Sequence, residues 1–170
     1  MSNRLSVLES LQIQAFKIRV HGNYHLGQIL RAKNDYIVIN FEGELSRPLS
    51  ERRAKTSALK DVAAMLRSWG YAAQVGLMRY TNRTGDEAQN LSGFARLWER
   101  QTSYLFLKTY IEAIRDARLL PAGNDLATLL EVFLLDRAFY ELQYENNNRP
   151  EWVHIPLRGL LSILDGQSVA

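Results

Sequence analysis

The rhythm of apolar positions changes twice along the chain. Leu5, Leu8 and Leu11 recur three apart, and Asn3 can cap a short amphipathic helix over residues 3–13. Phe16, Ile18 and Val20 then alternate with Lys17 and Arg19, the two-residue period of a half-buried strand. Gln28 to Ala32 and Tyr36 to Asn40 are further short, β-rich runs, and Lys33-Asn34-Asp35 between them predicts a hairpin. Beyond Asn40 the period is helical. Asp61 can cap a helix with Val62, Met65, Leu66 and Trp69 on one side, which the polar stretch Thr81 to Asn90 interrupts. Ser92 can cap a long helix through Phe94, Leu97, Trp98, Leu105, Ile111 and Ile114, with Pro121 and Gly123 marking its end. Asp125 opens a helix that is apolar nearly all round, through Leu126, Leu129, Leu130, Phe133, Leu134 and Phe139, as central helices are. Pro156 stands where a last helix would begin, with Leu157, Leu160, Leu161 and Leu164 as its inner face. Short N-terminal strands followed by a helical body indicate an α+β fold, mainly α.

Composition narrows the classes without choosing a function. A chain of 170 residues with no repeat and no Pro/Gly/Ser-rich linker reads as a single domain over 1–170. With 46% hydrophobic and 23% charged residues it is not a disordered chain. The absence of cysteine removes disulfides, thiolate metal sites and cysteine nucleophiles together. No run approaches the roughly 18 apolar residues of a membrane span, and Ser6, Glu9 and Ser10 break up any signal-peptide core. The expectation is a soluble, cytoplasmic protein without a membrane partner. Net charge is a mild +3. Arg47, Arg52, Arg53, Lys55 and Lys60 gather, but Glu51 and Asp61 sit among them and no aromatics interleave. That reads as a solvated loop with locally paired arginines, not a nucleic-acid surface.

Two polar loops flank the predicted hairpin: His21-Gly22-Asn23-Tyr24-His25-Leu26-Gly27-Gln28 before it, and Asn40-Phe41-Glu42-Gly43-Glu44 at the end of its second strand. Strand ends place both on one rim. These stretches resemble the C-terminal lobe of maltokinases, kinase-like phosphotransferases often fused to trehalose synthase. In that family the loops read His-Gly-Asp-Tyr-His-Leu-Gly-Gln and Asp-Phe-Glu-Gly-Glu. The likeness continues through Arg47-Pro48-Leu49, Glu51-Arg52-Arg53, Asp61-Val62-Ala63 and Met65-Leu66-Arg67-Ser68. It ends with Tyr140-Glu141, Tyr144-Glu145, Asn148-Arg149-Pro150, Trp152 and Ile155-Pro156-Leu157.

The resemblance implies the C-terminal lobe of a protein-kinase-like fold, and a family activity that transfers the terminal phosphoryl group of ATP to maltose with magnesium. By position, Asn23 stands at the family's catalytic aspartate, beside His21. Gln28 matches a metal ligand, and Asn40 stands at the main metal-binding aspartate. An amide carries no negative charge and no useful basicity near neutral pH. Loss of a general base alone costs about 10²–10⁴-fold, and magnesium prefers carboxylate and phosphate oxygens. The same likeness expects an acidic residue where Gly70 stands. It also places a nucleotide-binding lobe before the histidine loop, whereas 20 residues precede His21 and no glycine-rich phosphate loop is present. The expected function is therefore a catalytically silent, maltokinase-like lobe that binds maltose or a related glucoside through Glu42, Tyr140, Glu141, Tyr144, Asn148, Arg149 and Trp152. His21 and His25 are expected to organise their loop; His154 has no motif support. ATP and magnesium are expected of the family rather than bound productively here. Two alternatives stand beside this reading. One is a split kinase whose nucleotide lobe comes from a partner chain. The other is an assembly module that docks on trehalose synthase or on a second copy of itself.

Overall fold

The computed structural model describes residues 15–84 and 88–166, so the helix expected over 3–13 lies outside the described residues. The hairpin is formed by Ile29–Ala32 (β1) and Asp35–Val38 (β2), antiparallel, with Ile29 opposite Val38 and Ala32 opposite Asp35. Lys33 takes the left-handed conformation of the tight turn, φ 56°. Asp35 thus belongs to β2 and not to the connection. No strand forms over 16–20. Ile18 exchanges two 2.9 Å backbone bonds with Thr56 as an isolated bridge, and Phe16 is 61% exposed. Alternation specifies a buried face only where a ladder continues on either side, and here it stops after one pair.

Among the described residues five α-helices follow: α1 (Leu49–Arg53), α2 (Leu59–Thr84), α3 (Ala88–Ala113), α4 (Asn124–Asn148) and α5 (His154–Leu164). The short α1 replaces the solvated loop expected around Arg52, whose guanidinium donates to the Glu42 carbonyl at 3.0 Å. Asp61 is not the cap of α2. The helix begins at Leu59, whose N–H is taken by Ser57 Oγ at 3.2 Å, so Asp61 sits inside the first turn. Nor does Thr81 end α2, because the Thr81 and Thr84 hydroxyls bond back to carbonyls of their own helix and let it run to Thr84. In the same way Ser92 lies inside α3 rather than at its cap, and α3 stops at Ala113, before the 3₁₀ turn Arg115–Ala117.

The expectation of a central α4 holds. Leu130, Leu134 and Ala138 pack with Leu59, Val62, Ala63 and Leu66 of α2, Leu107 of α3, and Leu160 and Ile163 of α5. Leu59 and Leu130 are fully buried, each contributing about 1.5–3 kcal/mol of transfer free energy. Phe139, however, faces outward at 53% exposure. α5 also presents a face other than the one expected. Ile155, Pro156, Leu160 and Ile163 are buried, while Leu157, Leu161 and Leu164 are exposed. The helix begins two residues before Pro156, and leucines on both sides leave its orientation to the packing against α4. Among the described residues no helix is long and apolar enough to cross a membrane.

Candidate functional site

The polar face of α2 positions the histidine loop. Asp61, Ala64, Ser68 and Tyr71 are spaced three, four and three apart, so they line one side of the helix. The Asp61 carboxylate accepts the N–H groups of His21 (2.7 Å) and Gly22 (2.9 Å), and Ser68 Oγ accepts that of Leu26 (2.9 Å). Burial raises the Asp61 carboxyl above its ordinary value, and the bonds from Gly22 and His21 pull it back. Gly22 has φ 80°, a conformation open to glycine, and its Cα side faces Gly43 so closely that a Cβ would lie 3.4 Å from Gly43 Cα. His21 is buried, with Nε2 2.8 Å from the Ile39 carbonyl and Nδ1 accepting the Asn23 N–H at 3.3 Å. Both ring nitrogens are therefore spent on loop backbone. His25 Nδ1 accepts the Gly27 N–H at 3.1 Å and closes the turn Leu26–Gln28. Burial first, and Arg137 second, lower its pKa and keep the ring neutral.

The second loop turns twice through left-handed backbone, at Asn40 (φ 62°) and Gly43 (φ 78°). This swings Glu44, not Glu42, back toward the helices. Glu42 is exposed, and what it contributes is the backbone oxygen that holds Arg52. A cavity of about 340 Å³ results, walled by Asn23 and His25 from the first loop, Glu44 from the second, Ser68 and Tyr71 from α2, and the α4 face. On α4 the residues Arg137, Glu141, Glu145 and Arg149 stand four apart and form a charged stripe, with Tyr140 and Tyr144 beside it.

Of the residues expected to bind sugar, the fold brings Tyr140, Glu141, Tyr144 and Arg149 to this cavity together with Asn23. Tyr140 and Tyr144 are stacked, with centroids 6.4 Å apart and planes at 27°. Trp152 does not line the cavity; it lies beneath the Arg149 guanidinium, 4.3 Å from ring to cation. Asn148 turns its amide onto the Tyr144 carbonyl at 2.8 Å and closes the end of α4 instead. Glu44, Arg137, Tyr71 and Glu145 are members that the sequence reading did not single out. The charged stripe at four-residue spacing was the signal available for two of them, Arg137 and Glu145, on either side of Glu141.

The carboxylates are held unequally. Glu141 takes Arg67 Nη2 and Nε at 2.8 and 2.9 Å and Arg137 at 3.3 Å. Glu145 takes Arg149 at 2.7 and 2.8 Å and the Tyr71 hydroxyl at 3.2 Å. Burial, then the charges of Glu141 and Glu145, push the Tyr71 phenol far above its usual range, so it remains a donor. Glu44 pairs loosely with Arg137 at 3.9 Å and faces the Tyr140 hydroxyl, whose pKa burial raises and this carboxylate raises further. Asn23 Oδ1 is buried with no hydrogen-bond partner. An orphaned acceptor costs on the order of 1–3 kcal/mol.

Outside this cavity, Asn40 Nδ2 donates to Gln28 Oε1 at 2.8 Å, and the Gln28 amide nitrogen stands 3.3 Å from His25 Nε2. The two side chains expected at metal positions are thus neutral and bonded to each other. Among the described residues no group of three or more His, Asp and Glu converges as a metal cluster. This donor set does not fit a magnesium ion, which takes carboxylate and phosphate oxygens. Gly70, where an acidic residue was expected, faces α3: a Cβ there would come 2.7 Å from Glu99 Oε1.

No protein-family model matches the chain. It is 32% identical over 149 residues to a glucosamine kinase of Streptacidiphilus jiangxiensis, spanning 86% of this chain and 32% of that protein. Two solved structures share its fold. A glucosamine kinase (crystal form A) superposes with a TM-score of 0.77 and 27% identity, over 98% of this chain and 38% of that one. A glucosamine kinase in complex with glucosamine, ADP and inorganic phosphate gives 0.72 and 28%, over 89% and 36%. The chain spans about a third of the length of these relatives. The fold is therefore that of a kinase-like protein, and the likeness is to sugar kinases.

Proposed function

We propose that this chain is the acceptor-side lobe of a sugar-kinase-like phosphotransferase, and that it binds a glucose-configured sugar without transferring phosphate to it. The observation that carries the reading is the buried, unpartnered Asn23 Oδ1 in a cavity of polar and aromatic groups. A sugar hydroxyl donates to such an oxygen, and the paired tyrosines, with Arg137 over one ring and Arg149 over the other, add apolar contact and fixed donors at its rim. Glutamates, tyrosines and arginines around it supply both donors and acceptors for the remaining hydroxyls. Glu44, loosely paired with Arg137 and beside the Tyr140 hydroxyl, is a carboxylate with acceptor capacity for an ammonium or a hydroxyl. The relatives argue for glucosamine as the sugar, and the motif resemblance for maltose. Catalytic silence follows from Asn23, which orients a hydroxyl but cannot take its proton, and from the mutual Asn40–Gln28 bond at the metal positions. A nucleotide-binding lobe, whether adjoining or on a partner chain, would not restore either carboxylate. In this reading docking to trehalose synthase is not needed.

Calorimetric titration of the chain with glucosamine, maltose and glucose tests the binding half. Binding in the millimolar range is expected for one of them, weakened at least about tenfold by Tyr144→Ala and by Glu44→Gln. No heat and no thermal stabilisation at tens of millimolar of all three would reject it. Labelled phosphate transfer from ATP to the bound sugar tests the silent half, and transfer above the uncatalysed rate would reject that.

A further inference from the structure

A second cavity, of about 690 Å³, lies between α2, α3 and α5, within the range of small-molecule sites. Its polar wall includes Arg67, Arg96, Glu99, Arg100, Arg158 and Asp165, set over an apolar floor that includes Leu134 and Ile155. Arg67 and Gln74 are buried at 7% exposure each, and Gln74 Oε1 fixes Arg158 through a 3.0 Å bond from Nη1. Arg96 and Arg100 have no ion-pair partner among the described residues. Two glycines make room for these side chains: a Cβ on Gly159 would collide with the Arg67 guanidinium, and one on Gly70 would crowd Glu99. The Glu99 carboxylate is half-buried here and makes no hydrogen bond among the described residues. Burial raises its pKa, with Arg67 and Arg158 pulling it back.

Three guanidiniums around one space, Arg96, Arg100 and Arg158, suit the oxygens of a phosphate group. Glu99 and Asp165 do not suit a bare polyanion, but they accept hydroxyl groups. A ligand with a phosphate at one end and hydroxyls at the other satisfies both. The wall shared with the sugar cavity is the Arg67–Glu141 ion pair: Arg67 lines this cavity and Glu141 lines the other. We propose that the cavity between α2, α3 and α5 is a second ligand site for a phosphorylated sugar or polyol, coupled to the sugar cavity through Arg67 and Glu141. The site stands on this cavity alone, and only its coupling rests on the sugar-binding reading.

Titration calorimetry of the full chain with glucose 6-phosphate, inorganic phosphate and glucose as separate probes tests it. The ester is expected to bind at least about tenfold more tightly than either fragment. The double variant Arg96→Ala/Arg100→Ala should lose at least about tenfold in ester affinity, with its melting temperature and its affinity for glucosamine unchanged. Tyr144→Ala, in the sugar cavity, should leave the ester response intact. Absence of ester binding, equal binding by inorganic phosphate, an unaffected double variant, or loss of the response in Tyr144→Ala would each overturn the site. Saturating ester should change glucosamine affinity at least about threefold, and an unchanged affinity with the ester bound would overturn the coupling.

Discussion

Replacing Arg67 by Met isolates the ion pair on which the helical body closes. The Arg67 and Glu141 side chains are both 8% exposed, and two guanidinium nitrogens reach Glu141 Oε2 at 2.8 and 2.9 Å. Removing one partner of a buried pair costs about 3–5 kcal/mol, because the other charge stays behind without compensation. Here Arg137 still holds Oε1 at 3.3 Å, which places Arg67→Met near the lower end, at about 3 kcal/mol. For a chain of this size that is a fall of roughly 6–12 °C in melting temperature. The double variant Arg67→Met/Glu141→Leu exchanges the pair for apolar volume. It should recover to within about 1 kcal/mol of the parent, a coupling energy of about 2 kcal/mol or more. Urea unfolding followed by circular dichroism gives each value from midpoint and slope. A loss below about 1 kcal/mol in Arg67→Met, or a double variant no better than the single, would refute the claim that this pair is desolvated in solution.

Other expected outcomes follow from the same contacts. Burial holds the Glu99 carboxyl above its ordinary 4.5, so the folded chain binds the extra proton and its stability falls as pH rises from about 4.5 through the raised folded value. Glu99→Gln should therefore melt higher than the parent at pH 7, with the gap closing below that window; a lower melting temperature at pH 7 would count against it. Asn40→Asp should give the chain a magnesium-dependent rise in melting temperature that the parent lacks, since a carboxylate then stands beside Gln28. Identical magnesium responses would remove Asn40 from the metal position. Gly22→Ala, at φ 80°, should cost about 1–2 kcal/mol and weaken sugar binding with it, which calorimetry reads directly. Leu130→Ala, at 0% exposure, should cost about 2–5 kcal/mol in urea unfolding.

What the sequence made legible was set by local chemistry. The hairpin was readable because its runs are β-rich and its turn is polar, and α4 because apolar residues surround it. The strand at 16–20 was not, since Ile18 had a single partner in Thr56 and the pattern carries no record of how far a ladder extends. Helix starts were misplaced where a plausible cap, Asp61 or Ser92, sat inside the first turns. In the case of Asp61 the carboxylate was needed 40 residues away, on the His21 amide. The rotation of α5 was hidden by leucines on both of its faces. The fold brings Asn23, Tyr140, Glu141, Tyr144 and Arg149 to one cavity, a convergence that the order of the motifs anticipates. Glu44 was passed over for Glu42, because the two left-handed turns at Asn40 and Gly43 that choose between them exist only in the folded backbone.

The central claim is that a sugar occupies the cavity beside Asn23. A nitrogen–proton NMR titration of the isotopically labelled chain with glucosamine, up to about 50 mM, tests it most directly. The account predicts that the Asn23 side-chain amide and the backbone signals of Glu44, Tyr140, Tyr144 and Arg149 move together with one saturation curve. Signals of exposed positions on α3 such as Phe94 should stay in place. No movement at saturating sugar, or movement confined to residues away from that cavity, would contradict it.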